Sequence, residues 1–339
     1  MTRGMLEVSG KIDLSQFWPT GESDADTVKV TISGANAFKF RPHPDVPFKV
    51  THAFEGATVK GKVRKAVIDK QGRITIRLQG IDAPELHYRP TAPTLEGKKP
   101  TPTQRKKFNA ANGNFRQKFG ETAAVALAGL LSKAEQSPVE CTVRTAVDEP
   151  SDVFDAFGRF IGNIIITVGG KELDANLWLC ANGWAFPTFY VSMTPQEISD
   201  VVTRSEAARK KKLGIWRYVS ANLKPFDRAL LFRNHGAPAP TSDQGPVIMP
   251  KLFRRRSTFE IAQIAKIASG GSFKKYLELE PDACFETSEF LDAGHSAATP
   301  HRLDEFVSAG GTFMVAAKDL IFQEQKSQLI GKNGKPTHW

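Results

Sequence analysis

Cysteine is scarce in this chain of 339 residues. The three cysteines, Cys141, Cys180 and Cys284, are odd in number and widely spaced. A disulfide framework needs paired cysteines and a zinc cluster needs closely spaced ones. The sequence therefore predicts neither.

Long apolar runs are also missing. The opening residues, MTRGMLEVSGKIDLSQ, lack the apolar core of a signal peptide, and no later stretch is long enough to span a bilayer. These absences predict a cytoplasmic protein without a membrane partner. They leave open secretion by a route that needs no such signal.

Acidic residues are outnumbered by basic ones. The chain has 36 Asp and Glu against 46 Lys and Arg, which gives a formal net charge of +10. Such a surplus favours an acidic partner, for example nucleic acid, although a merely basic protein has the same balance. The length allows one large domain or two of ordinary size.

One stretch combines a strand pattern with charged residues at its end. In residues 73–85, RITIRLQGIDAPE, apolar and polar side chains alternate from 73 to 79, and the strand is expected to stop by Pro84, which has no N–H for a ladder. The strand carries Arg77 and ends with Asp82 and Glu85. Carboxylates can hold a hard cation and guanidinium neutralises phosphate. The combination indicates phosphoryl-transfer chemistry, with a solvated acidic turn as the plain alternative.

The first 81 residues predict short strands without helices between them. A strand over 27–32 follows an acidic loop that ends at Asp26, and an irregular excursion spans 34–52. Residues 59–67 and 73–81 are predicted to pair as a hairpin around a Gly-containing turn. This succession favours a small antiparallel sheet or barrel.

A basic segment follows at 86–118. We expect a flexible, exposed loop, helical near its end, that forms either a solvated face or a nucleic-acid contact. The candidate contact residues are Lys98, Lys99, Arg105, Lys106 and Lys107.

The next hundred residues mix helices with strands. Periodicity and capping residues predict helices over 121–133, 174–182 and from Pro195 to about 212. Strands are predicted over 139–143 and 160–167, the second launched by a Gly turn that ends at Arg159.

Three motifs in this order resemble the staphylococcal nuclease (thermonuclease) family. They are IRLQGIDAPE, DAFGRFIGNI and SEAARKKKLGIW, and the resemblance covers about residues 7–217. It implies an α+β fold, a β-barrel with helices, in which three helices pack on a five-stranded OB-fold-like barrel.

The resemblance also implies roles for individual residues. Asp82 and the carbonyl of Ala83 match calcium ligands, and Glu85 matches the carboxylate that positions or deprotonates the attacking water. Arg77 and Arg159 match the two guanidiniums that bind the scissile phosphate.

Two stretches compete for the remaining metal ligand. DADTVK, residues 24–29, supplies Asp26, which we favour because Thr27 begins a convincing strand. EGATVK, residues 55–60, has Ala57 where the ligand belongs. The first choice completes the site and implies an insertion near 33–58. The second leaves a ligand missing.

The activity implied by the resemblance is calcium-dependent hydrolysis of DNA or RNA, with low sequence specificity and 3′-phosphate ends. The alternative is a catalytically silent barrel that binds nucleic acid or protein. Silent relatives tend to lose the acids or arginines, whereas Arg77, Asp82, Glu85 and Arg159 are all present.

The chain departs from the family pattern beside its Gly-Arg turn. Ala156 and Phe157 stand where the family often has Lys-Tyr, so a cation and a phenolic hydroxyl are lost. We expect weaker binding of terminal phosphates and therefore mostly endonucleolytic cleavage. Phe157, Phe189 and Tyr190 are candidate contacts for bases or sugars.

Beyond Trp216 the resemblance ends. We predict a nuclease-like domain over 1–217 with insertions near 33–58 and 86–118, a linker over 218–248, and a small α+β module over 249–339 that has an unknown role and leaves protein partners open. The module is expected to contain a helix over 259–268 and alternating apolar stretches around 275–279 and 312–316. Its three consecutive arginines, 254–256, form either a phosphate grip or a solvated turn.

Overall fold

The computed structural model describes most of the chain. The described residues are 3–34, 37–51, 56–59, 63–65, 67–134, 136–147, 153–222, 231, 247–267, 270–294, 296–324 and 328–330. Within them the strands are β1 (Gly4–Ile12), β2 (Thr27–Ile32), β3 (Phe38–Arg41), β4 (Lys49–Val50), β5 (Gly56–Val59), β6 (Val63–Lys65), β7 (Arg73–Leu78), β8 (Ile81–Asp82), β9 (Val139–Val147), β10 (Phe160–Val168), β11 (Lys171–Asp174), β12 (Phe186–Pro187), β13 (Phe189–Tyr190), β14 (Ala283–Glu286), β15 (His301–Arg302), β16 (Leu320–Phe322) and β17 (Gln328–Ile330). The helices are α1 (Pro102–Ala111), α2 (Gly120–Leu131), α3 (Ala175–Ala181), α4 (Pro195–Lys210), α5 (Pro250–Ile264), α6 (Phe273–Leu279) and α7 (Thr287–Ala293).

Five strands close into a barrel. β1 pairs antiparallel with β2, β2 with β7, β10 with β9, and β9 with β1, while β7 and β10 are parallel. Most residues of β1, β9 and β10 alternate between buried and less buried, because successive side chains point to opposite faces and only one face lines the interior. The predicted five-stranded barrel is confirmed.

The helices of the barrel follow their sequence signals. In α4, Thr194 and Glu197 form a capping box, with Pro195 in the first turn. Asp174 caps α3 by accepting a hydrogen bond from the Leu177 N–H at 3.0 Å. α2 buries its leucines against the barrel core. These three helices are the ones predicted over 121–133, 174–182 and from Pro195.

The pairing of β7 differs from the prediction. The expected partner, residues 59–67, includes the last residue of β5 and all of β6, which pair with each other, and β17 adds a third strand on β5. β7 pairs with β2 and β10, whose alternating apolar residues complete its buried face. The excursion over 34–52 is also more regular than expected, since β3 and β4 form a hairpin on the edge of β1.

The basic segment over 86–118 is not simply an exposed loop. Its centre forms α1, capped by Thr101 and Gln104, and Phe108 and Phe115 are fully buried. These apolar residues fix the segment to a core, while most of its lysines and arginines remain outside. Charge counting predicted the exposed face and overlooked the apolar residues that anchor it.

The C-terminal elements share that second core with the basic segment. It gathers Phe108 and Phe115 with residues of α5 and α6, including Phe253 and Tyr276. The alternation expected around 275–279 is wrong, because Phe273, Tyr276 and Leu277 lie on the buried face of a helix. Residues 312–316 form only isolated bridges, and most of the predicted linker, 223–230 and 232–246, lies outside the described residues.

None of the helices in the described part of the chain is both long enough and apolar enough to cross a bilayer. The location of the protein stays a prediction.

All three cysteines are buried, which makes their reactivity a test of the fold. Burial raises the pKa of both Cys141 and Cys284 to about 12, and it also raises the pKa of Cys180. Since the thiolate is the reactive form, we expect alkylation by N-ethylmaleimide at pH 8 to be slower in the native protein than in denaturant by about 100-fold or more. Mass spectrometry counts the labels. Rapid labelling of any cysteine in the native protein would contradict the packing described for it.

Candidate active site

A cluster of buried charges lies at the end of β7. The Arg77 guanidinium contacts the Asp26 carboxylate through Nη1, and its Nη2 donates to Asp82 Oδ1 at 2.8 Å. Thr27 of β2 lies opposite Arg77, which places the preceding residue, Asp26, beside the guanidinium. All three charged residues are buried.

The position of Asp26 is fixed by the backbone of the acidic turn. The Ala83 N–H donates to Asp26 Oδ2 at 2.8 Å, and the Leu78 N–H donates to the Asp26 carbonyl at 2.9 Å. Two stretches were alternatives for the remaining metal ligand, and of these the structure brings Asp26 beside Arg77, whereas Ala57 lies in β5, in a separate sheet. A ligand role for Asp26 stays a prediction.

An arginine from the C-terminal part completes the cluster. Arg254 of α5 donates from Nη2 to Asp82 Oδ2 at 2.9 Å and from Nη1 to Asp82 Oδ1 at 3.1 Å. The same Nη1 contacts Glu85 Oε1. Sequence reasoning singled out the three arginines 254–256 but did not place any of them beside Asp82.

Only the first of the three arginines reaches this cluster. Arg255 donates to Asp282 from Nε at 2.7 Å and from Nη2 at 2.8 Å, and Arg256 donates to Glu260 at 2.7 Å. Successive helical residues point about 100° apart, so neighbouring arginines meet different partners.

Burial and charge act in opposite directions on the two acids that Arg254 contacts. Burial alone would raise the pKa of Asp82, but the guanidiniums of Arg254 and Arg77 together hold it well below its usual range. Burial raises the pKa of Glu85 to about 8, against the attraction of Arg254. Burial also raises the pKa of nearby Asp24, to about 6.

Glu85 is held by the segment that leads into α2. The Gln117 N–H donates to the Glu85 carbonyl at 2.7 Å, and the Glu85 N–H donates to Gln117 Oε1 at 3.3 Å. Gly120, the first residue of α2, lies so close that a Cβ there would stand 2.6 Å from the Glu85 carbonyl oxygen.

Arg159 lies at the rim of the cluster. Its turn is fixed by Asp155, which accepts from Arg159 Nε at 2.7 Å, and Gly158 takes a φ of +74° that glycine adopts without strain. Arg159 Nη1 donates to Thr27 Oγ1 at 3.4 Å, and that hydroxyl donates to Asp26 Oδ1 at 3.2 Å. The structure therefore brings Arg159 beside Asp26.

The predicted aromatic contacts fall into three environments. Phe157 is 52% exposed, and its ring centroid lies 5.5 Å from the Arg159 guanidinium. Tyr190 is half-buried and interacts electrostatically with Arg77 and Arg254. Phe189 is fully buried in the core. The prediction for Phe189 is wrong, because a buried ring presents no face to a base.

The predicted basic contacts are exposed and lie together in sequence. These residues are Lys98, Lys99, Arg105, Lys106 and Lys107. None of them forms an ion pair with another residue that the structure describes. The last three belong to α1, which packs against α5, the helix that carries Arg254.

The arrangement does not fit a calcium ion while Arg254 is in place. Both oxygens of Asp82 and one of Glu85 already face a guanidinium, and Asp26 Oδ2 accepts from Arg77 and Ala83. Among the described residues, no group of three or more His, Cys, Asp or Glu is arranged to hold a metal. The calcium ligands implied by the resemblance stay a prediction.

The closed barrel, with carboxylates and guanidiniums gathered beside β7, defines an OB-type nuclease-like domain. Residues 75–218 match the family model of the staphylococcal nuclease homologue. This part of the chain is a staphylococcal nuclease-like domain, and the match indicates a nuclease-related function. No curated protein matches the chain. Asp26 and Arg254 both lie outside the matched residues.

The close approach of Gly120 to Glu85 gives a test of how the acid is positioned. We expect Gly120→Ala to lower the free energy of unfolding by about 1–3 kcal/mol, because the added methyl group pushes on backbone atoms. Denaturant titration followed by circular dichroism measures the change.

Gly129→Ala in the same helix is the matched control. A Cβ at Gly129 meets nothing within 4 Å. Alanine is the better helix former, so this variant should gain up to about 1 kcal/mol. Equal effects of the two substitutions would contradict the contact at Gly120.

Proposed function

We propose that this protein hydrolyses phosphodiester bonds in nucleic acid. The observation that carries the proposal is a chain of contacts at the end of β7: Glu85 contacts Arg254, which shares Asp82 with Arg77, and Arg159 reaches Asp26 through Thr27. Glu85, Arg77 and Arg159 belong to the residues that match the nuclease family. These are the acid and the two guanidiniums that the sequence motifs selected.

Phosphate recognition falls to the guanidiniums. Arg159 stands at the rim with its side chain 28% exposed, and its contact with Asp155 fixes its direction without covering it. Arg254 is exposed to the same extent, while Arg77 lies deeper. Guanidinium forks match phosphate oxygens and neutralise the charge that develops in the transition state.

Glu85 acts as the general base. It takes a proton from a water molecule whose oxygen forms the new bond to phosphorus, while the bond from phosphorus to the leaving 5′-oxygen breaks. The leaving oxygen takes a proton from solvent. A base works best when its pKa is near the working pH, which agrees with the raised pKa of Glu85.

The resemblance implies calcium, with Asp26, Asp82 and the Ala83 carbonyl as its ligands. Those residues do not fit the ion beside Arg254, so no step of the proposed reaction uses a metal. Their role in the proposal is to hold Arg77 and Arg254 in place.

Substrate class follows from what the site contacts. Recognition through phosphate gives DNA and RNA as substrates with low sequence specificity. A polar groove of about 580 Å³ lies beside β2 and shares Asp24 and Thr27 with the surroundings of the cluster. The loss of the Lys-Tyr pair before Gly158 favours endonucleolytic cuts, and the resemblance implies 3′-phosphate ends.

The decisive variant is Glu85→Gln, which keeps the shape of the side chain and removes the base. We expect it to lower the cleavage rate by about 100-fold or more on circular single-stranded DNA and on RNA. The assay measures fragment release on gels, with and without chelator, and also identifies the ends.

Glu140→Gln is the matched control, since Glu140 is exposed on β9 and contacts only Lys11 in the described ion pairs. Cleavage that survives Glu85→Gln unchanged would refute the mechanism. If the wild type binds nucleic acid without cleaving it, the proposed hydrolysis is replaced by the alternative of a catalytically silent barrel that binds nucleic acid.

The basic face of α1 gives an independent test of nucleic-acid binding. We expect the triple change of Arg105, Lys106 and Lys107 to Gln to weaken binding of all sequences alike and to reduce the salt slope by about 1–3. Fluorescence anisotropy of labelled single-stranded DNA over a series of KCl concentrations measures both quantities.

A matched triple change of Lys210, Lys211 and Lys212 to Gln removes the same charge from the end of α4. This variant should keep most of the affinity. Equal losses from the two triple variants would show a general attraction of charge and exclude α1 as the contact.

A further inference from the structure

One residue that neither the motifs nor the family match includes stands at the centre of the site. Arg254 faces both oxygens of Asp82 and one oxygen of Glu85, the two carboxylates that the DAPE turn presents. We infer that Arg254 is a resident cation that takes the place of a divalent metal, so that the wild-type protein does not bind calcium at this site.

The geometry of a guanidinium explains why the two cations exclude each other. Its planar fork matches the two oxygens of one carboxylate, and Arg254 uses that fork on Asp82 at 2.9 and 3.1 Å. Calcium needs several oxygens turned toward one point. With Asp82 engaged by Arg254 and Arg77, each carboxylate oxygen of Asp82 already accepts from a guanidinium, whose positive charge repels the ion.

The helix that carries Arg254 is fixed on several sides. Leu252 and Phe253 are buried in the second core, while Lys251 and Arg255 both pair with Asp282. Such a helix is part of the core and does not behave as a lid.

Contacts with the basic segment hold the chain on both sides of Arg254. Gln117 Nε2 donates to the Ile248 carbonyl just before α5, and Thr258 Oγ1 lies 3.2 Å from the Tyr88 hydroxyl. These contacts favour an Arg254 side chain that stays in the site permanently over one that calcium displaces.

The charges around Arg254 explain what its removal would do. The acids of the cluster interact electrostatically with one another or with Arg254, and they are Asp24, Asp26, Asp82 and Glu85. Among the described residues, Arg77 is the other arginine in direct contact with Asp26 and Asp82. A neutral residue at 254 leaves this acidic set short of positive charge and frees oxygens of Asp82 and Glu85. Carboxylate oxygens of this kind are the ligands that calcium prefers.

The experiment measures calcium binding directly, by isothermal titration of chelator-treated protein with calcium chloride. The wild type should show no binding in the millimolar range. Arg254→Met, which keeps the length of the side chain, should bind calcium more tightly than the wild type by about tenfold or more. Its thermal midpoint should rise with calcium and not with sodium chloride of equal ionic strength.

Two further variants secure the interpretation. Arg256→Met removes a neighbouring arginine that pairs with Glu260, so it should not gain calcium binding. Adding Asp82→Asn to Arg254→Met should abolish the gained binding. Arg254→Lys keeps a cation and tests the site if the Met variant does not fold.

Calcium binding by the wild type as tight as that of Arg254→Met would overturn the inference. So would a folded Arg254→Met that fails to bind the ion. Cleavage in chelator by the wild type is a further expected result, and it alone rests on the proposed function. If the wild type cleaves nothing while the calcium-binding results are as expected, the nuclease proposal is refuted. The inference that Arg254 is the resident cation would then still stand.

Discussion

The pairing of two guanidiniums with the buried Asp82 carboxylate is the interaction on which this site depends. Arg77 approaches the carboxylate from β7 and Arg254 approaches it from α5, so the same acid joins the barrel to the C-terminal part. A buried charge is costly unless it is paired and hydrogen-bonded, and breaking one partner of such a set is strongly destabilising. The β2–β7 pairing, which brings Asp26 to Arg77, and the packing of α5 therefore support a single charged cluster.

The second core makes this cluster possible. The basic segment contributes Phe108 and Phe115 to it, and α5 contributes Phe253, the residue before Arg254. β13 of the nuclease-like region also pairs in parallel with β16 of the C-terminal region. The C-terminal elements are thus packed against the site they complete, and the division of the chain into separate domains stays a prediction.

Local patterns predicted much of the fold, and long-range contacts set the limit. Alternation located β7, and capping residues located α4, because both signals lie within a few neighbouring residues. The partner of β7 could not be read from the nearest strand, since pairing is decided by which apolar faces close the barrel. The motifs selected Arg77, Asp82, Glu85 and Arg159, all of which border the cluster, whereas nothing local distinguishes Arg254 from the two arginines after it. That distinction requires knowing which face of α5 is buried.

The anchoring of Arg254 on a core helix has a consequence for how the site responds to its surroundings. A diffusible ion occupies a site according to its concentration, whereas a side chain carries an effective concentration fixed by the chain itself. The site therefore receives its positive charge when α5 folds. The ionic composition of the medium does not determine whether that charge is present. The protein carries its counter-ion in its sequence, about 170 residues beyond the acid it neutralises.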